Sequence, residues 1–308
     1  MSLRKYSTAL TVLVLAGLVS ASPVRAQVTL YAIANGGTTL ISFQSNNPGG
    51  AALVGNFSGG NTFLDAISFS PVDGQLYGFK SNFGSPGTTV DTLYKVNPIT
   101  AALTIVGTSG TTTNTNFLGT GFDPATGFLH VVTNSTQNIV LNPTTGAVQT
   151  IATGLSYAAG DVNANANPLI IANAYSNNLA GHIGQEYGID YGTGTLDKIA
   201  GNAGTLTTVG SLGVATDLFT GLSIFTSKTG VDSAYALLGP ASGAQETLYN
   251  VNLATGAATS VGSINGFTQV YSLAAVLAST PEPGTVALFV GLAGNGLFVL
   301  RQKKRKKK

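Results

Sequence analysis

The 308-residue chain contains no cysteine, no tryptophan and only two histidines. Without cysteine it has no disulfide framework, no thiolate metal site, no iron–sulfur cluster and no thiol nucleophile. Two histidines exclude a histidine-rich metal centre. Charged residues make up only 8% of the chain, whereas 44% is hydrophobic and 40 residues are glycine. Because the glycines have no three-residue period, the composition excludes collagen and favours a globular body with many turns.

Most of the basic residues lie at the two ends of the chain. The whole sequence has a net charge of +2 and a pI near 8.7. The segment from 27 to 280 nevertheless has only four lysines, no arginine and eleven acidic residues, which gives it a formal charge of −7. An acidic body repels a phosphate backbone, so the composition predicts no nucleic-acid partner.

Residues 1–26 have the three parts of a secretory signal peptide. Arg4 and Lys5 come first, an apolar run follows, and small residues precede Gln27. This order predicts cleavage by signal peptidase between Ala26 and Gln27, with an earlier site near residue 21 as an alternative. The other alternative is an uncleaved membrane anchor, which the shortness of the apolar run disfavours.

Residues 279–308 combine Pro281, Glu282 and Pro283 with a 17-residue, mostly apolar segment and a tail that has seven bases in its last eight residues. As a helix, 17 residues span about 25 Å, slightly less than a hydrocarbon core of about 30 Å. The basic tail holds its own end of this predicted transmembrane helix in the cytoplasm, so the body lies on the other side of the membrane.

This order of motif, span and tail resembles the PEP-CTERM sorting signal of exopolysaccharide-producing Gram-negative bacteria. The resemblance implies transient anchoring in the inner membrane and processing near Pro281–Pro283 by an exosortase-type enzyme. It also implies release to the cell surface or the extracellular space. The alternative is a permanent single-pass anchor with a coincidental Pro-Glu-Pro.

A turn motif recurs along the body at spacings of 45 to 62 residues, the length of a propeller blade. Its copies begin at Asn47, Asn97, Asn142, Asp190 and Asn252. In these copies Pro presets φ, Asn or Asp bonds nearby backbone, and Gly adopts the left-handed conformation. The flanking runs are rich in Thr, Val, Ile and Tyr and are too short for helices, so each copy is expected to join the third and fourth strands of a unit.

A second hairpin precedes four of these copies, which gives four complete four-stranded units. Leu30–Asn35 begins a fifth unit that lacks its first strand, and Tyr271–Leu277 supplies that strand. Closure of a ring by the two terminal strands leaves no unpaired edge. The sequence therefore predicts an all-β, five-bladed β-propeller over residues 27–278. Its inner strands are expected near Ala66, Gly119, Ala158, Gly221 and Tyr271.

The body also resembles domain-of-unknown-function family 4394, a group of exported proteins expected to be propellers. The resemblance is densest over residues 117–174, especially at Gly121–Gly127, Asn142–Gly146 and Tyr157–Pro168. It continues through much of the body and fits less well in the first unit. It implies the propeller fold and brings no activity and no catalytic residues.

One loop places an oxygen-bearing side chain at every second position, at Asp161, Asn163, Asn165 and Asn167. Such oxygens suit a hard cation such as calcium, the only cofactor that the sequence suggests. The loop lacks the glycine and the glutamate of an EF-hand. The alternative is an Asx-rich loop that hydrogen-bonds to its own backbone.

Enzymatic residues are few. Asp65, Asp161 and Asp217 are expected near the starts of inner strands, and a glycosidase needs two carboxylates roughly 5–10 Å apart. Glu186 and Glu246 are expected before third strands, away from the axis. His130 and His182 have no carboxylate at a supportive spacing, and nucleophile-elbow, phosphate-loop and dinucleotide motifs are absent.

Several tyrosines follow a leucine or alanine at equivalent strand positions and are expected to pack between adjacent blades: Tyr31, Tyr77, Tyr94, Tyr235 and Tyr249. The combined patterns favour an exported, non-enzymatic binding or structural module of the cell surface or extracellular matrix, linked to exopolysaccharide. The alternative is a secreted carbohydrate-active enzyme that uses carboxylates in the central channel.

Overall fold

The computed structural model describes residues 27–58, 63–82, 90–111, 113–115, 117–239 and 245–277. These residues form 21 strands and one short 3-10 helix, Gly201–Ala203. Among them, no helix has the length and apolarity needed to cross a membrane. The predicted signal peptide (1–26) and sorting segment (279–308) lie outside the described residues.

The strands are short, as their alternating Thr-, Val- and Ile-rich sequences predict. In chain order they are β1 Val28–Ala34, β2 Thr39–Gln44, β3 Asn47–Asn56, β4 Ala66–Phe69, β5 Leu76–Lys80, β6 Thr92–Val96, β7 Leu103–Thr108, β8 Leu118–Phe122, β9 Leu129–Thr133, β10 Asn138–Leu141, β11 Val148–Ile151, β12 Ser156–Tyr157, β13 Ile170–Tyr175, β14 Glu186–Asp190, β15 Thr195–Ile199, β16 Thr205–Ser211, β17 Gly221–Thr226, β18 Asp232–Leu238, β19 Thr247–Val251, β20 Ala258–Ser263 and β21 Tyr271–Leu277.

The strands form five sheets that we number as blades. Blade 1 is β21-β1-β2-β3, blade 2 is β4–β7, blade 3 is β8–β11, blade 4 is β13–β16 with β12 added outside, and blade 5 is β17–β20. All pairs are antiparallel except β12 with β16. The inner strands β21, β4, β8, β13 and β17 each contact the next around a ring. The prediction of a five-bladed propeller is thus confirmed.

The terminal strands close the ring, as the sequence predicts. In blade 1, β21 pairs with β1, and Leu30 lies opposite Ala275. Strand β21 also bonds to both neighbouring inner strands: Ile67 N–H donates to the hydroxyl of Ser272, and Ala275 N–H donates to that of Ser223. Because β21 pairs with β1 and hydrogen-bonds to β4 and β17, it secures the closure of the whole ring.

Most of the recurrent turns form as expected. Asn142 Oδ1 accepts the N–H of Thr144, Asn252 Oδ1 accepts that of Ala254, and the closing Gly146 has a φ of +74°. The first copy differs, because Asn47 begins strand β3 and the turn precedes it, at residues 45–46.

Blade 4 corrects the strand assignment made from the sequence. Its inner strand is Ile170–Tyr175, which was expected to be the second strand, and residues 158–162 form no strand. The turn at Asp190 accordingly joins the second and third strands. The reason is a crossover: residues 152–169 first run along outer strand β16, where Ala158 N–H donates to Leu206 O, and then return to the axis.

The core lies between the blades. Tyr31 packs against Phe69 with ring centroids 5.7 Å apart, and Tyr77 packs against Phe122 at 5.2 Å. These two pairs confirm the predicted packing between neighbouring blades for Tyr31 and Tyr77. On the outside, Gly107 of β7 lies so close to the next blade that a Cβ atom would be 1.9 Å from Thr145 O.

Candidate functional site

The inner strands all begin at one end of the ring, and a cavity of about 260 Å³ opens there on the axis. We call it the axial cup. Its lining comes from residues at or just before the starts of all five inner strands, and from Gly36 in the β1–β2 turn. Three aromatic residues line it, Phe117, Phe219 and Tyr271, and Asp65 is the only carboxylate of its lining within the described residues.

The axial cup has a floor. Farther along the axis the inner strands approach each other and leave a space of only about 20 Å³, lined by side chains that include Ser68, Thr120, Asn173 and Ser223. A water molecule needs roughly 10–15 Å³ by this measure, so the space holds about one water. A ligand in the cup therefore cannot pass through the ring.

Asp65 and Tyr271 give the cup its polar groups. Asp65 is buried and accepts the N–H of Ser81 at 2.7 Å. Burial, with the charge of Asp91 adding to it, raises the pKa of Asp65 to about 7. Tyr271 donates to Leu64 O at 3.0 Å, and its ring centroid lies 6.0 Å from that of Phe219. Near neutral pH the Asp65 carboxyl group can therefore donate or accept a hydrogen bond.

Two further carboxyl groups, those of Asp217 and Glu246, are buried near each other. Asp217 Oδ1 accepts the N–H of Phe219 at 2.8 Å, and burial raises the pKa of Asp217. Burial and then the charge of Asp217 raise the pKa of Glu246 to about 8. Neither carboxylate belongs to the lining of the axial cup.

The loop with the predicted calcium ligands lies on the outer edge of blade 4. Asp161, which was expected near an inner strand, accepts N–H groups of Asn163 and Thr208 and the Thr208 hydroxyl. Although burial opposes them, these hydrogen bonds hold the pKa of Asp161 below its ordinary value. Asn165 and Asn167 are exposed.

These hydrogen bonds favour the Asx-rich alternative over a calcium site. Within the described ranges, no group of three or more His, Asp or Glu residues is placed to hold a metal ion. Asp161 is too far out to join a ring of channel carboxylates, so that part of the expectation was wrong. The processing residues Ala26, Pro281, Glu282 and Pro283 lie outside the described residues, and Gln27 begins them.

The structure brings together one pair that the sequence did not reveal. His130 Nδ1 lies 3.5 Å from Glu186 Oε2, and both side chains are buried. Glu186 is in the second strand of blade 4, not before the third. His182 is exposed in the β13–β14 loop. Because 56 positions separate His130 from Glu186, no local spacing predicts their contact.

The comparisons with solved structures are distant. A structural-genomics protein of unknown function from Bacteroides thetaiotaomicron VPI-5482 has 16% identity and a TM-score of 0.46, over 79% of this chain and 64% of that one. Kuenenia stuttgartiensis hydrazine synthase has 14% identity and a TM-score of 0.39, over 64% and 47%. An auxiliary nutrient binding protein from Bacteroides ovatus ATCC 8483 has 8% identity and a TM-score of 0.43, over 72% and 51%.

The chain spans less than two thirds of the length of these three proteins. At such low similarity they carry no argument about activity. No curated protein sequence matches the chain. The profile of the family described as Domain of unknown function (DUF4394) matches residues 39–274, nearly the whole propeller, and the chain therefore belongs to the DUF4394 family.

Proposed function

We propose that this protein is an exported module of the cell surface or extracellular matrix, and that its axial cup binds a sugar residue of an exopolysaccharide. The observation that carries the proposal is the lining of the cup: three aromatic rings and one carboxyl group around a closed end. Phe and Tyr rings stack on the apolar face of a sugar, and a few placed polar groups fix its orientation.

The lining supports binding over hydrolysis. A glycosidase uses two carboxylates on either side of the scissile bond. Asp65 is the one carboxylate in the described lining of the cup, and Asp217 is engaged with the Phe219 N–H and lies near Glu246. The carbohydrate-active enzyme remains the alternative, because a partly protonated Asp65 could act as an acid.

The binding test uses isothermal titration with the purified propeller and fragments of exopolysaccharide from the native host. Phe219→Ala and Asp65→Ala should each weaken binding at least tenfold, a loss of about 1.4 kcal/mol. Tyr191→Ala is the matched control, because Tyr191 is half-exposed and lies outside the cup lining. Equal affinities for all variants would contradict the site, and hydrolysis abolished by Asp65→Asn would favour the enzyme.

Export is tested separately. The signal peptide and the PEP-CTERM-like segment support delivery across the inner membrane and release by an exosortase-type enzyme. Intact-mass measurement on protein from the native host should find a chain that begins near Gln27 and ends near Pro281. Replacing the seven tail bases with Gln should lower processing, because the tail no longer opposes translocation. A full-length, membrane-bound chain at steady state would instead mean a permanent anchor.

A further inference from the structure

A groove of about 520 Å³ lies between blades 3 and 4, away from the axial cup. His130 of β9, Tyr175 of β13 and Glu186 of β14 are part of its lining, and all three are buried. Glu186 Oε1 accepts Nδ2–H of Asn173 at 2.7 Å, and Oε2 accepts the hydroxyl of Tyr175 at 2.9 Å. The carboxylate is thus fixed from the inner strand and presented to His130.

The repeat shows what the same positions contain in other blades. The strand registers pair position by position, so equivalent residues can be identified. The position of His130 is occupied in the other blades by Tyr31, Tyr77, Tyr187 and Tyr235. The position of Glu186 is occupied by Leu30, Leu76, Leu129 and Ala234. Both residues therefore depart from the repeat, and they depart where they meet.

Two neighbours depart with them. Tyr175 stands where blades 2 and 3 have Phe69 and Phe122, and Asn173 stands where blades 2 and 5 have Ile67 and Leu222. The ring of His130 lies 5.5 Å from that of Tyr175, at the place of the Tyr–Phe pairs of the other interfaces. The added hydroxyl and amide are the groups that bind Glu186.

These departures are not needed for packing. The equivalent positions of the other interfaces contain Tyr together with Leu, Phe, Ile or Ala, whereas a buried imidazole and carboxylate carry a desolvation cost that an apolar pair avoids. His130 Nδ1 lies 3.5 Å from Glu186 Oε2 and makes no hydrogen bond in this buried position. Positions that break a repeat's own rule at such a cost are those expected to serve function.

We propose that this groove is a second ligand site, independent of the axial cup, and that it binds a neutral, hydroxyl-rich ligand such as a short oligosaccharide. Glu186 favours the proton on Nδ1 of His130 and leaves Nε2 to accept a ligand hydroxyl. Gln149, Gln185 and Thr126 provide amides and hydroxyls in the lining, and Phe128 provides an apolar face.

The charges of the groove argue against an anionic ligand. Asp123 and Glu186 line it, and no lysine or arginine does so within the described residues. Phosphates, sulfates and uronates would meet two carboxylates without a compensating cation. A neutral sugar has hydroxyl groups that pair with amides in either direction.

The test reverts the site to the repeat. In the quadruple variant His130→Tyr/Asn173→Leu/Tyr175→Phe/Glu186→Leu, all four positions regain residue types that pack in other blades, and no buried donor loses its acceptor. We expect its melting temperature to equal or exceed that of the parent protein. Binding of neutral trisaccharides (cellotriose, maltotriose and xylotriose as probes, with trigalacturonate as the anionic control) should weaken at least tenfold.

The chain has only two histidines, which makes a direct readout simple. In the untagged protein, the imidazole C–H resonance of His130 should shift saturably with at least one neutral probe, while that of exposed His182 stays fixed. Phe219→Ala should leave this shift unchanged, which separates the groove from the cup. A lower melting temperature of the quadruple variant, no His130 shift with any neutral probe, or a shift with trigalacturonate alone would each overturn the proposal.

Discussion

The Oδ2 atom of Asp197 lies 3.0 Å from the hydroxyl oxygen of Tyr157. The same hydroxyl donates to Asp190 Oδ2 at 2.7 Å, and both carboxyl groups are fully buried. Asp190 and Asp197 thus compete for the one O–H of Tyr157, and the shorter distance makes Asp190 its principal acceptor. Burial raises the pKa of Asp197 to about 6, so Asp197 takes up a proton as the pH falls below neutral.

Replacement of the two aspartates should therefore have unequal effects. Asp197→Asn turns one of the two carboxyl groups that compete for the Tyr157 hydroxyl into a neutral amide, and it should change the free energy of unfolding by less than about 1 kcal/mol. Asp190→Asn should cost about 2–3 kcal/mol, because Asp190 also accepts the N–H groups of Leu169, Gly192 and Thr193. Urea unfolding near neutral pH measures both. Equal losses would contradict the assignment of Asp190 as the principal acceptor.

Stability should increase as the pH falls from about 8.5 to about 5. Burial raises the pKa of Asp65 to about 7, of Asp197 to about 6 and of Glu246 to about 8, above the unfolded values of 3.8 and 4.5. The folded state then binds more protons than the unfolded state. This contribution is complete below the unfolded pKa values and is lost as the pH rises through the folded ones. Melting temperatures measured across this pH range test the prediction. A melting temperature that decreases as the pH falls from about 8.5 to about 5 would contradict it.

The closing strand should be sensitive to truncation of its side chains. Leu273 of β21 is buried among residues of blades 1 and 5. Leu273→Ala should cost about 3 kcal/mol, since it removes buried methyl groups and leaves a cavity. Leu53→Ala is the control, because that leucine is 60% exposed on β3, and it should cost less than about 0.5 kcal/mol. Similar costs for the two variants would argue that the closure adds little.

Gly107 of β7 should not tolerate a side chain, because it lies against the β10–β11 turn of the next blade. Its backbone is not left-handed, but an added Cβ would overlap Thr145 O of the next blade. Gly107→Ala should therefore destabilise the fold by about 3 kcal/mol, through displacement of a neighbouring blade. Gly213 has a φ of +73° and open space around it, so Gly213→Ala should cost only about 1 kcal/mol. Thermal unfolding of the two variants measures both losses of stability. A larger loss for Gly213→Ala than for Gly107→Ala would contradict the close contact.

Calcium should leave the loop at Asp161 unchanged. Both oxygens of the Asp161 carboxylate already accept hydrogen bonds, and its neighbours Asn165 and Asn167 are exposed. We expect the same melting temperature with millimolar calcium as with a chelator, and the same result for Asp161→Asn. A calcium-dependent rise that Asp161→Asn removes would establish the cation site that the sequence pattern suggests.

The sequence by itself determined the number of blades, most turns and the closure. These features depend on local chemistry: Asn142 and Gly146 form their turn from within, and alternation sets which face of a short strand is buried. The pairing of Tyr271–Leu277 with the first strand follows from counting strands, because an open ring would leave two edges unpaired.

Only the tertiary structure decided the inner strand of blade 4. The parallel pair of β12 and β16 joins Tyr157 to Leu206 across the chain, and no turn motif marks such a contact. Residues 158–169 are small and polar, so their composition does not distinguish an inner strand from a crossover on the outer edge.

The same holds for the chemistry. His130 and Glu186 each depart from the repeat in their own strands, but only the interface between blades 3 and 4 brings the two side chains to 3.5 Å. Asp65, Asp161 and Asp217 carry the same side chain, yet Asp65 lies in the cup, Asp161 on the outer edge and Asp217 beside Glu246. The reason is that burial and partner choice depend on packing between distant segments, whereas strand and turn formation depends on neighbours in the chain.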